Sequence, residues 1–567
     1  MNTIYKSALP YLLLMGGLSA CGGGKNDNTE PVTPPPAQAV TSSCVQLAGM
    51  QIAATSIGLP TSGAVVTGTK VVPASGTGTG ALGEYCIVSG SIKPVDASAP
   101  NIQFQVALPK NWNANAVMFG GGGFNGVIPD ITSSGTPTAA GPLARGYAVF
   151  ASDSGHQEAS LPHPTAFMLN QEANRNFMGD ALKKTRDTAL VIVKAAYGAA
   201  PKKSYFIGGS NGGREALLVG AVWPADWDGI AALYPARPIT TQLLGMLRTS
   251  RALAAPGAYP NRAKRGVLYQ AALAACDGLD GVKDGLISDE KKCEAVFNPA
   301  TAVLNGVPLR CAGGADTGDN CLSDAQLGAL ETMNNPVPFN FSLASGATSF
   351  PGFNVYTSDL GGPGSSQLQA TIAAATLGNT APGFPYTPDM PNLSWIADGL
   401  ARYGVAQDAS FNYLTLDPLK PGPYASQLSA LSTVDNRDTN MGGFAAKGGK
   451  LLIMHGTADM IITSRGSESY VQGLQSTLGL SVVDSFLRFY LAPGFGHGIG
   501  NFTVSWDFLS ALENWVEKGV DPKANQVITD VAGIPGRTRP LCIYPTWAKY
   551  NGSGDVNSAA SFTCALK

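Results

Sequence analysis

Charge is scarce in this sequence. Asp, Glu, Lys and Arg make up 13% of 567 residues, well under the roughly 25% usual in soluble domains, and the formal net charge is -2. No basic stripe is present to hold a phosphate backbone, which argues against a nucleic-acid partner. Beyond the N-terminus no run is long and apolar enough to span a bilayer, and no internal repeat occurs. Histidine is rarer still, with four in the chain: His156, His163, His455 and His497. Any chemistry that needs an imidazole therefore has few candidates. Glycine, at 69 residues, is abundant. The length suffices for a large core and for more than one domain.

The first twenty residues read as a signal segment: Lys6 supplies positive charge and Ala8 to Leu14 is a short apolar run. Leu18-Ser19-Ala20-Cys21 resembles a bacterial lipobox, which makes Cys21 the expected lipidated first residue of the mature chain; an ordinary cleaved signal is the alternative. Gly22 after the cysteine favours the outer membrane, so an exported, lipid-anchored protein is expected, or else a secreted one. The membrane enters only through that anchor, and oligomeric state is not readable. Residues 21–40, rich in glycine and then proline, form a tether with nothing to bury. Of nine cysteines, removing Cys21 leaves eight, an even number that in an exported chain points to disulfides. Spacing alone leaves connectivity open. The grouping suggests Cys44 with Cys86, Cys276 with Cys293, Cys311 with Cys321 and Cys542 with Cys564.

Strand signals at Ile102–Leu108, Ala116–Phe119, Tyr147–Ala151 and Tyr205–Ile207 alternate with a helical pattern over Asp180–Tyr197. Gly229–Tyr234, Lys450–Met454 and Phe486–Leu491 continue the strand series, and helices are expected over Gly466–Leu478 and Phe502–Lys518. Such alternation predicts an α/β fold with a mostly parallel sheet between helices. From 238 to 443 the alternation lapses into a Pro-, Gly- and Cys-rich stretch. The expected organisation is a catalytic unit from 41–237 and 444–567, interrupted by a lid at 238–443.

Gly208-Gly209-Ser210-Asn211-Gly212 joins an apolar strand to a helix-compatible run, Glu215 to Val222. This is the pattern of a nucleophile elbow, although Gly-x-Ser-x-Gly alone is a weak signal in so glycine-rich a chain. The matching base belongs after the last strand, where His497 stands alone in Pro493-Gly494-Phe495-Gly496-His497-Gly498. The acid belongs between, and Asp459 in His455-Gly456-Thr457-Ala458-Asp459 fits; Asp484 and Asp507 follow no strand on the correct side. His455 is expected to close its loop, and His163 to be a loop residue. The N–H of Asn211 and one from Gly120-Gly121-Gly122-Gly123 would face a developing oxyanion. A phosphate cradle is the alternative for that glycine loop, but the Lys-Ser/Thr of a P-loop is missing. Within the lid, Asp277, Asp280 and Asp284 with the carbonyls of Val282 and Leu286 suit a hard cation; a solvated acidic turn is the alternative.

Together these motifs resemble the tannase/feruloyl esterase family of α/β-hydrolases. The likeness adds Phe124-Asn125-Gly126, Ser152-Asp153-Ser154-Gly155-His156, Gly212-Gly213-Arg214-Glu215, Arg537-Thr538-Arg539-Pro540-Leu541-Cys542 and Gly552-Ser553-Gly554-Asp555. By matched position it implies a Ser210, Asp459 and His497 triad and oxyanion donors Gly123 and Asn211. It implies calcium on Asp277, Asp280, Val282, Asp284 and Leu286, and supports the four neighbouring disulfides. Family members carry bridged cysteines before the serine and after the histidine; here Gly209 and Gly498 stand there, and close packing of the two is expected. The terephthalate half-ester hydrolases of the family use a lid Arg-Ser-Trp segment that 378–400 lacks, and at the wall position after Asp459 this chain has Ile462. The resemblance therefore implies a serine hydrolase of carboxylic esters, of feruloyl or galloyl type. Other small or aliphatic esters, a terephthalate half-ester and a non-catalytic binding lipoprotein are the alternatives.

A fatty-acid analogue fed to expressing cells should label the protein, and Cys21→Ala should abolish the label. Undiminished labelling of that variant would remove the anchor.

Overall fold

The computed structural model describes residues 38–39, 44–133, 135–136, 138–363, 365, 376–436, 439–523 and 526–566. The leader, Cys21 and most of the expected tether lie outside the described residues. At the end of that tether Gln38 and Ala39 pair antiparallel with Trp112 and Asn111, so the folded part begins earlier than residue 41.

A ten-stranded sheet forms the centre. Its strands are β1 (Gln51–Ile52), β2 (Ala64–Val72), β3 (Tyr85–Ile92), β4 (Ile102–Pro109) and β5 (Asn115–Phe119). They continue with β6 (Ala148–Ser152), β7 (Lys203–Gly209), β8 (Gly229–Leu233), β9 (Lys450–Gly456) and β10 (Leu487–Ala492). The order is β10-β9-β8-β7-β5-β6-β4-β3-β2-β1. From β10 to β6 all neighbours run parallel, and β4 to β1 extend the sheet antiparallel. The parallel block was expected; β2 and β3 were not. Along β2 Thr67, Thr69 and Lys70 break the apolar run, and the register against β3 shifts between Val66 and Gly68.

Side chains alternate between the sheet's two faces. Phe206, Ile230 and Ile453 join one apolar core with α1 (Ala181–Tyr197) and α2 (Asn211–Val222). Tyr205, Ile207, Ala231 and Leu452 join the other with Leu509, Leu512 and Trp515. Those last three lie on a helix over Phe508–Lys518, six residues later than the expected start. The Asp507 carboxylate caps it by accepting the Ser510 N–H at 3.0 Å, while Val504–Ser505 pairs with Thr529–Asp530 as a short strand.

Among the described residues, the stretch 238–443 contributes no strand to the large sheet. Its helices, beginning with α3 (Ile239–Leu253) and α4 (Arg262–Cys276), enclose a third apolar core. That core also takes in Phe167, Phe177, Met460 and Ile462 from the sheet-bearing part, so this stretch and the sheet-bearing part share an interior. Met441 packs instead with the sheet core, just inside the expected lid boundary. Disulfides join Cys44 to Cys86, Cys276 to Cys293, Cys311 to Cys321 and Cys542 to Cys564. Among the described residues no helix is long and apolar enough to cross a membrane.

Candidate active site

Chain reversal at the end of β7 leaves Ser210 at φ 58°, ψ -123°, a conformation a non-glycine residue holds only when its surroundings impose it. The surroundings are backbone. A β-carbon on Gly208 would lie 2.1 Å from the Gly212 carbonyl oxygen, and one on Gly212 would lie 2.9 Å from the Gly120 carbonyl carbon. Only glycines let β7, the start of α2 and the loop after β5 meet this closely. The Ser210 carbonyl accepts the N–H groups of Gly213 and Arg214, which starts α2 at the serine.

Three side chains from three loops converge. His497 Nε2 lies 2.9 Å from Ser210 Oγ, and His497 Nδ1 lies 2.7 Å from Asp459 Oδ2. A carboxylate only accepts, so Nδ1 carries the hydrogen and Nε2 is free to accept the Ser210 hydroxyl. Asp459 is fully buried, and its Oδ1 accepts the Ile461 and Ile462 N–H groups, both at 2.9 Å. Burial on its own would raise its pKa. The facing His497, with hydrogen bonds from His455 and His497, outweighs that and holds the carboxyl well below its usual range. His455 closes the loop as expected, with Nδ1 2.8 Å from Ser467 Oγ and Nε2 3.0 Å from the Ile462 carbonyl oxygen. Asp484 pairs with Lys523 and Asp507 with Arg145, both away from the serine's partners.

Asn211 supplies the first N–H of α2, one of those without an intrahelical acceptor. Gly123, at φ 57°, sits in the glycine loop facing the elbow. Sequence reasoning gave no role to Glu215, which ties the Asn211 side chain to the glycine loop at Gly121. One of its oxygens accepts the Gly121 N–H at 3.0 Å; the other accepts Asn125 Nδ2 at 3.2 Å and Asn211 Nδ2 at 3.1 Å. Asn125 in turn hydrogen-bonds Ser154, and Asp153 holds Gly155 N–H and Gln157, so the Ser152–His156 motif braces the glycine loop from behind. Burial raises Glu215 to about 7, with Arg214 and its own hydrogen bonds opposing.

An aromatic wall adjoins the glycine loop. Phe124 lies 5.8 Å from the lid residue Trp395, centroid to centroid, and His163 lies 5.1 Å from Trp395. His163 is buried, bonded to Thr165, and burial lowers its pKa to about 4, so it is neutral. Arg402, the arginine that follows Trp395, is held by Asp398 at 2.9 Å and by the Ala409 carbonyl at 2.8 Å. Gly209 and Gly498, expected to pack closely, share one neighbour: the β-position of each lies near the Tyr234 hydroxyl, at 2.8 Å and 3.6 Å.

In the lid, Asp277 to Asp280 is one 3-10 turn, followed by Gly281 and Gly285 with positive φ. Asp277 accepts the Asp284 and Gly285 N–H groups, and Asp284 pairs with Arg539. Asp280 Oδ2 is buried without a hydrogen-bond partner among the described residues. Burial raises that carboxyl to about 6, with Asp284 and Asp277 adding to the rise. Among the described residues no three acidic, histidine or cysteine side chains are gathered closely enough to hold a metal ion, because Asp277 and Asp284 turn toward backbone and arginine.

Residues 86–565 match the family model for tannase and feruloyl esterase. An uncharacterized esterase of Agrobacterium fabrum is 36% identical over 538 residues, spanning 92% of this chain and 93% of the relative. The mono(2-hydroxyethyl) terephthalate hydrolase of Piscinibacter sakaiensis is 31% identical over 531 residues, spanning 86% and 85%. The crystal structure of feruloyl esterase B from Aspergillus oryzae superposes with a TM-score of 0.70 over 89% of this chain and 98% of that one; at 22% identity it speaks to the fold alone.

Glu215 generates a pH prediction. Its pKa is raised from 4.5 to about 7, so its contribution to stability is intact below pH 4.5 and lost as pH rises through about 7. Glu215→Gln cannot charge. The variant's melting temperature relative to the native chain should therefore rise between pH 5 and pH 8. Its kcat should fall about ten- to a hundredfold, because the glycine loop loses an aligned acceptor. A difference in melting temperature that is flat with pH would contradict the assignment.

Proposed function

The chain belongs to the tannase and feruloyl esterase family and is a carboxylic ester hydrolase, and from that premise we propose that Ser210, His497 and Asp459 carry out the hydrolysis through an acyl-enzyme. Ser210 Oγ attacks the ester carbonyl as His497 Nε2 takes its proton. His497 then returns that proton to the leaving alcohol. The buried Asp459 carboxylate keeps the hydrogen on Nδ1 and stabilises the imidazolium. The N–H groups of Gly123 and Asn211 receive the oxyanion, aligned through Glu215. Water repeats the sequence on the acyl-enzyme, and Ser210 leaves as an alcohol. The observation that carries the reading is the unbroken hydrogen-bonded line from Ser210 Oγ to Asp459.

The acyl group we assign is that of a neutral aromatic acid of feruloyl or galloyl type. The Phe124–Trp395 wall supports it, since a flat ring stacks where an aliphatic chain finds no matching face. The engagement of Arg402 with Asp398 and Ala409 argues against a half-ester with a free carboxylate. The native chain should hydrolyse methyl ferulate or methyl gallate with higher kcat/KM than methyl butyrate or a terephthalate half-ester. Ser210→Ala should lose more than about 10⁴-fold in kcat. No turnover of any ester would overturn the enzyme reading, and a preference for methyl butyrate would overturn the acyl group.

Four disulfides mark an extracytoplasmic protein, and we place the expected Cys21 anchor at its N-terminus. Calcium is the cation proposed for the lid loop, where the Asp280 oxygen without a partner supports it. Asp277 and Asp284 would turn in from their backbone and Arg539 partners to join Asp280 in holding it by side chain, with Val282 and Leu286 giving carbonyls. When bound it would neutralise the carboxylates and stiffen the segment closed by the Cys276–Cys293 bridge; it takes no part in the ester chemistry. Chelator should lower the melting temperature before activity at 25 °C falls, and an unchanged melting curve would remove the site.

A further inference from the structure

Tyr234 is the first residue after β8, and nothing in the hydrolysis above uses it. Its φ is 36°, left-handed backbone that a tyrosine adopts only when neighbours hold it there. Its N–H donates to the Met454 carbonyl on β9 at 2.6 Å, which fixes it over the C-terminal end of the sheet between β7 and β9. The ring meets the His497 imidazole in a T-shaped contact, with centroids 4.9 Å apart and planes at 63°. It meets Phe495, on the same loop as His497, at 5.9 Å and 68°. The opposite flank lies against the nucleophile strand. A β-carbon on Gly209 would come within 2.8 Å of the Tyr234 hydroxyl and 2.9 Å of two ring carbons. A β-carbon on Gly498 would lie 3.6 Å from the same hydroxyl. One side chain thus touches the histidine and the residues next to both the serine and the histidine. Burial, with the Asp459 charge second, pushes the phenol up to about 12, so the hydroxyl is neutral at pH 7.

We propose that Tyr234 is a positioning residue for His497: its side chain lies with ring and hydroxyl against Gly209 and the hydroxyl toward Gly498, and its ring keeps the imidazole on the line between Ser210 and Asp459. The two glycines leave the space that the Tyr234 side chain fills. Without the ring, His497 can swing about its side-chain torsions, and the 2.9 Å approach to Ser210 becomes one of several arrangements. The role at His497 is mechanical and rests on the ring against the imidazole, while the hydroxyl is the atom that reaches Gly498.

This rests on the esterase reading, and the test separates the two. With methyl ferulate as substrate, Tyr234→Phe should keep kcat within about threefold, while Tyr234→Leu should lower kcat about ten- to a hundredfold and leave KM within about threefold. Gly209→Ala places a methyl group against the ring, so it should lower kcat in the native chain and add nothing in the Tyr234→Leu background. A purely structural residue would lower the melting temperature without this split or this coupling. Unchanged kcat in Tyr234→Leu, or an equal cost of Gly209→Ala in both backgrounds, overturns the proposal while the native chain still turns over ester. Should Tyr234→Leu not fold, Gly209→Ala alone decides, because it displaces the ring without removing it and an unchanged kcat is fatal. A native chain that hydrolyses no ester overturns both readings together.

Discussion

The hydrogen bond from His497 Nδ1 to the buried Asp459 carboxylate sets the terms for everything around it. Taking a carboxylate fully out of water is costly, and Asp459 is ionised there only because each oxygen is answered: Oδ2 by His497 and Oδ1 by two N–H groups of its own loop. Those N–H groups belong to Ile461 and Ile462, and Ile462 is in turn bonded through its carbonyl to His455. The acid is therefore built into a closed loop at the end of β9 before the histidine arrives from the end of β10. Parallel pairing of β9 with β10 brings the two loops to the same edge of the sheet.

Geometry on the serine side has a different origin. There the backbone alone makes the site, because three chain segments touch at Gly120, Gly208 and Gly212 with no side chain between them. A buried carboxylate, Glu215, then orders the amides on the oxyanion side, as Asp459 orders the imidazole on the other. The site thus has one buried acid for each catalytic half, and the low dielectric around them strengthens every bond they accept. The lid adds shape: its apolar interior is continuous with Phe177 and Ile462 of the catalytic unit, so the wall carrying Trp395 rests on the same packing that holds the acid loop.

Much of this was legible in the sequence, for identifiable reasons. The parallel strands are short apolar runs between glycines. The serine turn has a local signature, and four histidines leave little choice for the base. What escaped was non-local. Glu215 accepts a hydrogen bond from Gly121, 94 residues away, and no spacing reveals that. Tyr234 reads as the last residue of a strand, yet it turns out of β8 to stand beside two glycines from distant loops. The alternating, Thr- and Lys-containing β2 and its bulge conceal a strand, and the Asp507 cap halts a helix whose apolar pattern runs further back. In the lid, irregular turns around glycine and disulfides obscure the periodicity on which helix prediction depends.

The relay itself is open to a direct chemical reading. Incubation with a p-nitrophenyl alkylphosphonate should release one equivalent of p-nitrophenolate per chain, and peptide mass mapping should place the adduct on Ser210 alone. In His497→Ala and Asp459→Asn the rate of adduct formation should fall by more than about a hundredfold. An adduct on another residue, or an undiminished rate in either variant, would contradict the account.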